Sequence, residues 1–451
     1  MIKRHYTLLI FSIVSTQLIA QDLSMSNNST LFLCEDKISV SGYYYPDSAS
    51  FERYNAPHYL HTIEHATSIT KFSVAQIVLD DIGQAWGWGY ANSLGLGTDS
   101  FIEKPTILPM LNDTKAIAIS DKENTVFAIK GDNNELWAWG NNDNALVANS
   151  EEDFVTTPIY LEIDSMAEVA AGPDNAVALK SDGSVWVWGL NDLKQMGIDS
   201  VFFSRTPLKL GGLPGMAQIS SEYNSSIVID STGQAWGWGL NYNGNLGKDG
   251  FAQISTPEKI AVMTGVKQVA TMRAATIWTD STGQAWSIGE NYAGQLGVGD
   301  KVKRDTALPQ KIELPAPVKK LFTKDLSTMA LLENGELWAW GDNISLKLGT
   351  GPSENLREYL PVKVYDPCAV LNSVESFTKE TKSVYPNPSA NGLFKLKTES
   401  PLLSWEIYSH DGQKILAGTG TSIDITQQPK GLYLLHWETK TERSTTKLML
   451  H

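Results

Sequence analysis

One phrase recurs six times along the middle of the chain, and no other feature restricts the possible folds as strongly. It reads Gly83-Gln-Ala-Trp-Gly-Trp-Gly89, Glu135-Leu-Trp-Ala-Trp-Gly140, Ser184-Val-Trp-Val-Trp-Gly189, Gly233-Gln-Ala-Trp-Gly-Trp-Gly239, Gly283-Gln-Ala-Trp-Ser-Ile-Gly289 and Glu336-Leu-Trp-Ala-Trp-Gly341. The leading tryptophans Trp86, Trp137, Trp186, Trp236, Trp286 and Trp338 are separated by 51, 49, 50, 50 and 52 residues. A period of this size marks an array of supersecondary units, each burying its apolar face only against a neighbour. Function is therefore to be sought on the surface of an array.

Within each unit the grammar is β. In the fourth, Met216-Ala-Gln-Ile-Ser is followed by Ser226-Ile-Val-Ile-Asp, a Ser231-Thr-Gly turn and the tryptophan phrase, short β-rich runs punctuated by Gly, Asn and Asp. Four short strands fit each unit. Side chains two apart on a strand share a face, so both indoles of Trp-x-Trp are expected in the core between stacked units. After the phrase, asparagine stands two residues beyond the glycine at Asn142, Asn191, Asn241, Asn291 and Asn343, with Ala91 the exception. A second glycine follows at Gly97, Gly197, Gly247, Gly297 and Gly349, with Ala148 the exception. Both types suit a turn with positive backbone dihedrals. The apolar residues preceding that position, Leu96, Val147, Met196, Leu246, Leu296 and Leu348, are expected to anchor the loop.

Charge and cysteine content exclude whole classes. With 36 Lys and Arg against 50 Asp and Glu, the formal charge is -14, which on average repels nucleic acid and anionic membranes. Two cysteines, Cys34 and Cys368, are too few for a four-thiolate zinc site or a disulfide-dense scaffold. Residues 1–20 carry a positive start, an apolar stretch and a small residue at Ala20, the pattern of a secretory signal peptide. No later stretch reaches the length needed for a membrane-spanning helix.

The phrase Trp236-Gly-Trp-Gly-Leu-Asn-Tyr-Asn-Gly-Asn-Leu-Gly247 resembles the regulator of chromosome condensation repeat. The resemblance implies a seven-bladed β-propeller over residues 21–372. Seven prolines, Pro57, Pro105, Pro158, Pro207, Pro257, Pro309 and Pro361, each open a unit on this reading, but only six tryptophan phrases exist. Thr30-Leu-Phe-Leu-Cys34 and Ile38-Ser-Val-Ser-Gly42 align with Thr125–Ile129 and Leu136–Gly140. The expected seventh blade is thus composite, built from residues 30–55 and 361–372, and closes the ring so that no sheet edge is left open. Cys34 and Cys368 then fall in its two halves, and a disulfide between them is expected in an oxidising compartment.

Past a polar linker, residues 373–383, the repeat gives way to alternating strands over 384–451, a small Ig-like β-sandwich. Tyr385-Pro-Asn-Pro, Asp411-Gly-Gln, Pro429-Lys-Gly-Leu-Tyr433 and the Lys447 phrase resemble the type A C-terminal sorting domain of the type IX (Por) secretion system. That resemblance implies an all-β secreted or surface-attached protein whose tail, residues 384–451, engages the type IX machinery.

No catalytic, metal or cofactor site is expected. Residues 66–409 contain no histidine, so no imidazole base stands in the array's main body. His61-Thr-Ile-Glu-His65 matches a zinc-peptidase signature that works only on a helix, and here it falls in a connection between units. The expected function is a monomeric propeller that binds an extracellular protein or glycan and no nucleic acid, its ligand residues unassigned. The alternative is a carboxylate-dependent, glycan-active hydrolase, although no acidic pair stands out by spacing. Nucleotide exchange on a small GTPase, known among relatives, conflicts with export. A secreted relative that inhibits β-lactamase acts by protein binding.

Overall fold

The computed structural model describes residues 22–365 except 49, 73, 121, 123–124, 303–306 and 352–354, together with 367–368, 384–385, 389, 392–396, 402–409, 414–439 and 443–450. Residues 1–20 and 373–383, read from sequence as signal peptide and linker, lie outside the described residues. The chain divides into two units, Met1–Leu371 and Asn372–His451.

The first unit is a ring of seven four-stranded antiparallel sheets, each a meander in chain order. Blade one comprises β1 (Asp22–Met25), β2 (Ser29–Cys34), β3 (Lys37–Tyr44) and β4 (Glu52–Thr62). Blade two runs from β5 (Ala66–Lys71) to β8 (Phe101–Ile107), blade three from β9 (Thr114–Ile119) to β12 (Phe154–Tyr160), and blade four from β13 (Met166–Ala171) to β16 (Phe203–Lys209). Blade five runs from β17 (Met216–Glu222) to β20 (Ala252–Lys259), blade six from β21 (Val266–Thr271) to β24 (Gln310–Lys311), and blade seven from β25 (Val318–Lys324) to β28 (Arg357–Lys363).

The seven blades are as expected, but the ring is not closed by a composite blade. All four strands of blade one come from residues 22–62, and Pro361 lies in β28 of blade seven. The prolines end units rather than open them. In six blades the proline falls in a bulge of the fourth strand: register jumps from Gly87↔Thr106 to Gly89↔Ile102 around Pro105, and from Gly237↔Glu258 to Gly239↔Ile254 around Pro257. A residue without an N–H is tolerated on the outermost strand at a bulge and nowhere deeper in a sheet.

At four joints the blades are tied by the second tryptophan of the phrase; blade six carries Ile288 at that position. Trp139, Trp188, Trp238 and Trp340 are fully buried. Each donates its indole N–H to a loop carbonyl of the preceding blade: Ser93 at 3.0 Å, Leu146 at 2.8 Å, Gln195 at 2.9 Å and Gln295 at 3.1 Å. The first tryptophan is only half-buried, contrary to the expectation for both, because it sits beside the turn that opens its strand. Its N–H donates to Asp80, Glu135, Asp230, Asp280 or Glu336, or to Ser184 in blade four. At the joint between blades seven and one, Ser41 occupies the tryptophan position, and its Oγ has no hydrogen-bond partner among the described residues. A Cβ placed on Gly349 of blade seven would lie 2.6 Å from that oxygen, whereas on Gly297 of blade six it meets Trp340. The seam carries instead the Cys34–Cys368 disulfide, an Asp22–Lys320 ion pair of 2.7 Å, and the Arg53 guanidinium donating to the Ile344 carbonyl at 3.0 Å.

The innermost strand of each blade has an open edge toward the central channel, and neighbouring blades satisfy it with side chains. The backbone N–H of Ile69 donates to Asp22, that of Ile219 to Glu168, that of Val269 to Gln218 and that of Leu321 to Gln268, at 3.0 to 3.3 Å. In blades two, five, six and seven these bonds stand in for the missing strand partner.

In the second unit, β29 (Val384–Tyr385), β30 (Leu393–Leu396) and β33 (Ser422–Asp424) form one sheet. The other is formed by β31 (Leu402–Ser409), β32 (Lys414–Gly418), β34 (Gly431–Thr439) and β35 (Arg443–Leu450). Phe394, Leu396, Ile407, Ile423, Leu435 and Leu448 belong to one core that draws on both sheets, as in a small β-sandwich.

Candidate functional site

Antiparallel alternation sends the loops between third and fourth strands to one face of the ring, together with the turns between first and second strands. The expected asparagines build these loops, but by a different device from the one anticipated. None of Asn142, Asn191, Asn241, Asn291 and Asn343 has a positive φ. Their side-chain oxygens instead accept from the backbone N–H five residues on, at Val147, Met196, Leu246, Leu296 and Leu348, at 2.8 to 3.0 Å. Their amide nitrogens donate back to carbonyls such as Lys248, Gly250 and Asn355. The glycines do adopt positive φ, from 63° at Gly349 to 77° at Gly247. Where Ala148 replaces glycine, Asn149 takes the left-handed conformation with φ 64°. Where Ala91 replaces asparagine, the loop is two residues tighter, so Leu94 is buried and the expected anchor Leu96 is half-exposed.

These loops present large apolar side chains to solvent. Every blade exposes at least one: Phe51, Tyr90, Phe154, Phe202, Phe251, Tyr292 and Leu356 in blades one to seven. Phe202 is 69 % exposed and Phe251 64 %. Six of the seven are aromatic, and aromatic side chains are enriched where partners dock.

Nearer the axis, the turns of blades five to seven interlock. The Arg273 guanidinium lies 5.0 Å from the Tyr223 ring centroid and 4.0 Å from the Asp325 carboxylate, and the Tyr223 hydroxyl donates to Asp325 at 3.3 Å. Beside this triad, a cavity of about 410 Å³ lies between blades five and six, walled by Tyr223, Tyr242, Tyr292, Arg273 and Glu290. Desolvation raises the Tyr292 hydroxyl above the ordinary tyrosine range. The channel itself holds a further cavity of about 420 Å³ whose lining includes Glu168, Gln218, Gln268 and Lys320. Burial lifts the Glu168 carboxyl to about 7, partly offset by the Ile219 N–H it accepts. Sequence reasoning did not single out these residues. The one available signal was that the residue three after the phrase glycine is Tyr242 and Tyr292 in consecutive units, where others carry Asn92, Asp143 and Asp192.

His61, Glu64 and His65 lie on the opposite face, in the end of β4 and a turn rather than a helix. His61 packs edge-on against Trp88 at 5.2 Å, and burial, aided by Lys104, pushes its imidazole below the usual range. His65 sits at φ 60° beside Asp81 at 3.7 Å. The helix that signature requires is not formed. Among the described residues no three His, Cys, Asp or Glu side chains are grouped as a metal ion needs, and no helix is long and apolar enough to cross a membrane.

Seven radially arranged four-stranded blades, tied at four joints by indole-to-carbonyl bonds and looped out on one face, define a repeat β-propeller. Residues 48–379 match the RCC1-like domain, and the chain belongs to that family. Residues 383–451 match the secretion system C-terminal sorting domain, which marks a protein exported by the type IX route, extracellular or attached to the cell surface. The E3 ubiquitin-protein ligase HERC2 of Mus musculus is 29 % identical over 121 residues, 26 % of this chain and 2 % of that protein. The ultraviolet-B receptor UVR8 of Arabidopsis thaliana is 28 % identical over 138 residues, 30 % of this chain and 31 % of that protein. The chain thus spans a minor part of these relatives. Among solved structures, that of Kap60 bound to yeast RCC1 (Prp20) aligns with TM-score 0.61 at 20 % identity, covering 81 % of this chain and 89 % of that one. Human WBSCR16 aligns with TM-score 0.60 at 19 % identity, covering 72 % and 90 %.

Proposed function

We propose that this protein is a secreted or surface-displayed binding module that captures an extracellular protein or glycan on the face formed by the third-to-fourth-strand loops, residues 384–451 serving export. The observation that carries this reading is the solvent-exposed apolar side chain in that loop, or at the strand end beside it, in every blade. The asparagine bonds hold the loops of blades three to seven in one conformation before any partner arrives, which lowers the ordering cost of binding.

The test is affinity capture from solubilised surface proteins and an immobilised glycan array, using the full chain and a triple variant Phe51→Ser, Phe202→Ser, Leu356→Ser. These positions are exposed, so the melting temperature is expected to stay unchanged while capture is lost. Ile82→Ser, a 76 %-exposed position in a turn on the opposite face, is expected to leave capture intact. Retention of the partner by the triple variant, or its loss in Ile82→Ser, refutes the assignment of this face.

A further inference from the structure

The geometry points to a neutral-saccharide site in the cavity between blades five and six, an assignment that rests on the binding role above and names one ligand class for it. The cavity, about 410 Å³, lies within the size range of small-molecule sites. Tyr242 and Tyr292 stand at corresponding positions of consecutive blades and are 42 % and 39 % exposed, so two flat aromatic surfaces flank one opening. Aromatic faces carry partial negative charge and receive the polarised C–H groups of a pyranose, while the phenolic hydroxyls reach its rim. No other pair of neighbouring blades places tyrosine at both positions: blades one, two, three, four and seven carry Tyr45, Asn92, Asp143, Asp192 and Ile344.

The charged groups of the cavity wall are each engaged by a neighbouring side chain, Arg273 by Asp325 and Glu290 by the Asn243 amide, which favours a ligand read through its hydroxyl groups over an ion. Glu290 is buried and accepts from the Asn243 side chain at 2.7 Å. Arg273 is shared between the Tyr223 ring and Asp325. What remains is hydrogen-bonding capacity fixed in direction, the pattern that recognises hydroxyl groups. Asn224 also lines the cavity, and its side-chain oxygen is buried with no hydrogen-bond partner among the described residues.

The walls are also held rigidly. Tyr223 adopts φ 53°, and a Cβ on Gly172 would lie 2.0 Å from its carbonyl oxygen, so blade four fixes the turn. Asn245 accepts from the Tyr242 backbone N–H at 2.6 Å and donates to the Ser225 hydroxyl at 2.9 Å. A site whose aromatic walls are set before binding loses little entropy on complex formation.

The experiment is calorimetric titration of the full chain with neutral hexasaccharides of α- and β-linked glucose, mannose, xylose and N-acetylglucosamine, with hexagalacturonate and hexalysine as charged probes. At least one neutral probe is expected to bind. Tyr242→Ala or Tyr292→Ala is expected to weaken it about tenfold, and the double variant to abolish it, with no change in melting temperature. Ile82→Ser, in an exposed turn on the opposite face, is expected to leave the affinity unchanged. Three results overturn the assignment: no neutral probe bound at millimolar concentration, binding indifferent to the double tyrosine variant, or binding confined to a charged probe. If the double tyrosine variant still captures a partner that the Phe51/Phe202/Leu356 variant loses, and no saccharide binds, the loop-face reading stands and the saccharide site falls. If instead a neutral saccharide binds through the tyrosines while the loop-face variants alter no capture, the site stands and the broader face does not.

Discussion

Replacing both cysteines, Cys34→Ala with Cys368→Ala, tests how the ring is held closed. At four joints a buried indole from one blade bonds to a carbonyl of the preceding blade; at the seam between blades seven and one, Ser41 stands there instead. Truncating a buried tryptophan typically costs about 3 to 5 kcal/mol, so the seam lacks a contribution of that size. The disulfide spans a sequence separation of 334 residues. For a loop of that length the chain-entropy relation gives a ceiling of about 6 kcal/mol, the same order as the missing indole. Spread over the unfolding entropy of a propeller this size, that corresponds to a fall in the melting midpoint of about 8 °C at most. Differential scanning calorimetry of the oxidised chain and the double variant measures it. Trp238→Ser, with the disulfide intact, provides the comparison at an unstapled joint and is expected to lower the midpoint by about 5 °C. A shift under about 2 °C in the double-alanine variant, set against a clear fall in Trp238→Ser, would refute the idea that the covalent bond substitutes for the indole.

Asn241→Ala removes the acceptor for the Leu246 N–H and the donor to the Lys248 and Gly250 carbonyls, and is expected to cost about 2 to 3 kcal/mol in urea unfolding. Glu168 titrates from 4.5 in the unfolded chain to about 7 in the fold, so the native state holds its proton more tightly and this group's contribution to stability is lost as pH rises through that window. Glu168→Gln is expected to flatten the decline between pH 4.5 and 7 in thermal melts, and an unchanged pH profile contradicts the channel geometry. Deleting residues 384–451 is expected to leave the propeller inside the outer membrane, read by cell fractionation; release of the truncated chain into the medium contradicts the role of the sorting domain.

The repeat was legible in the sequence because everything that announces it is local. Trp-x-Trp-Gly, the glycine eight residues on and the apolar residue before it act within one hairpin, so their spacing survives as text. The same locality misled where one residue type serves two purposes. Asparagine is favoured both for positive φ and for side-chain bonds to nearby backbone, and only coordinates show that Asn241 and its counterparts do the second.

What sequence alone determined, then, is the unit, its number of strands and the sorting sandwich that follows it. The tertiary structure decided which strand belongs to which blade and where the cavity lies. A proline-bearing edge strand reads the same whether its hydrogen bonds go to the strand before it or the strand after, so the composite closure and the continuous blade one were equally compatible with the pattern. Tyr223 and Tyr292 stand 69 residues apart in the chain and wall one cavity only because the ring sets blade five beside blade six. Blade-to-blade contacts of this kind depend on closure of the whole ring, which no window of the sequence contains.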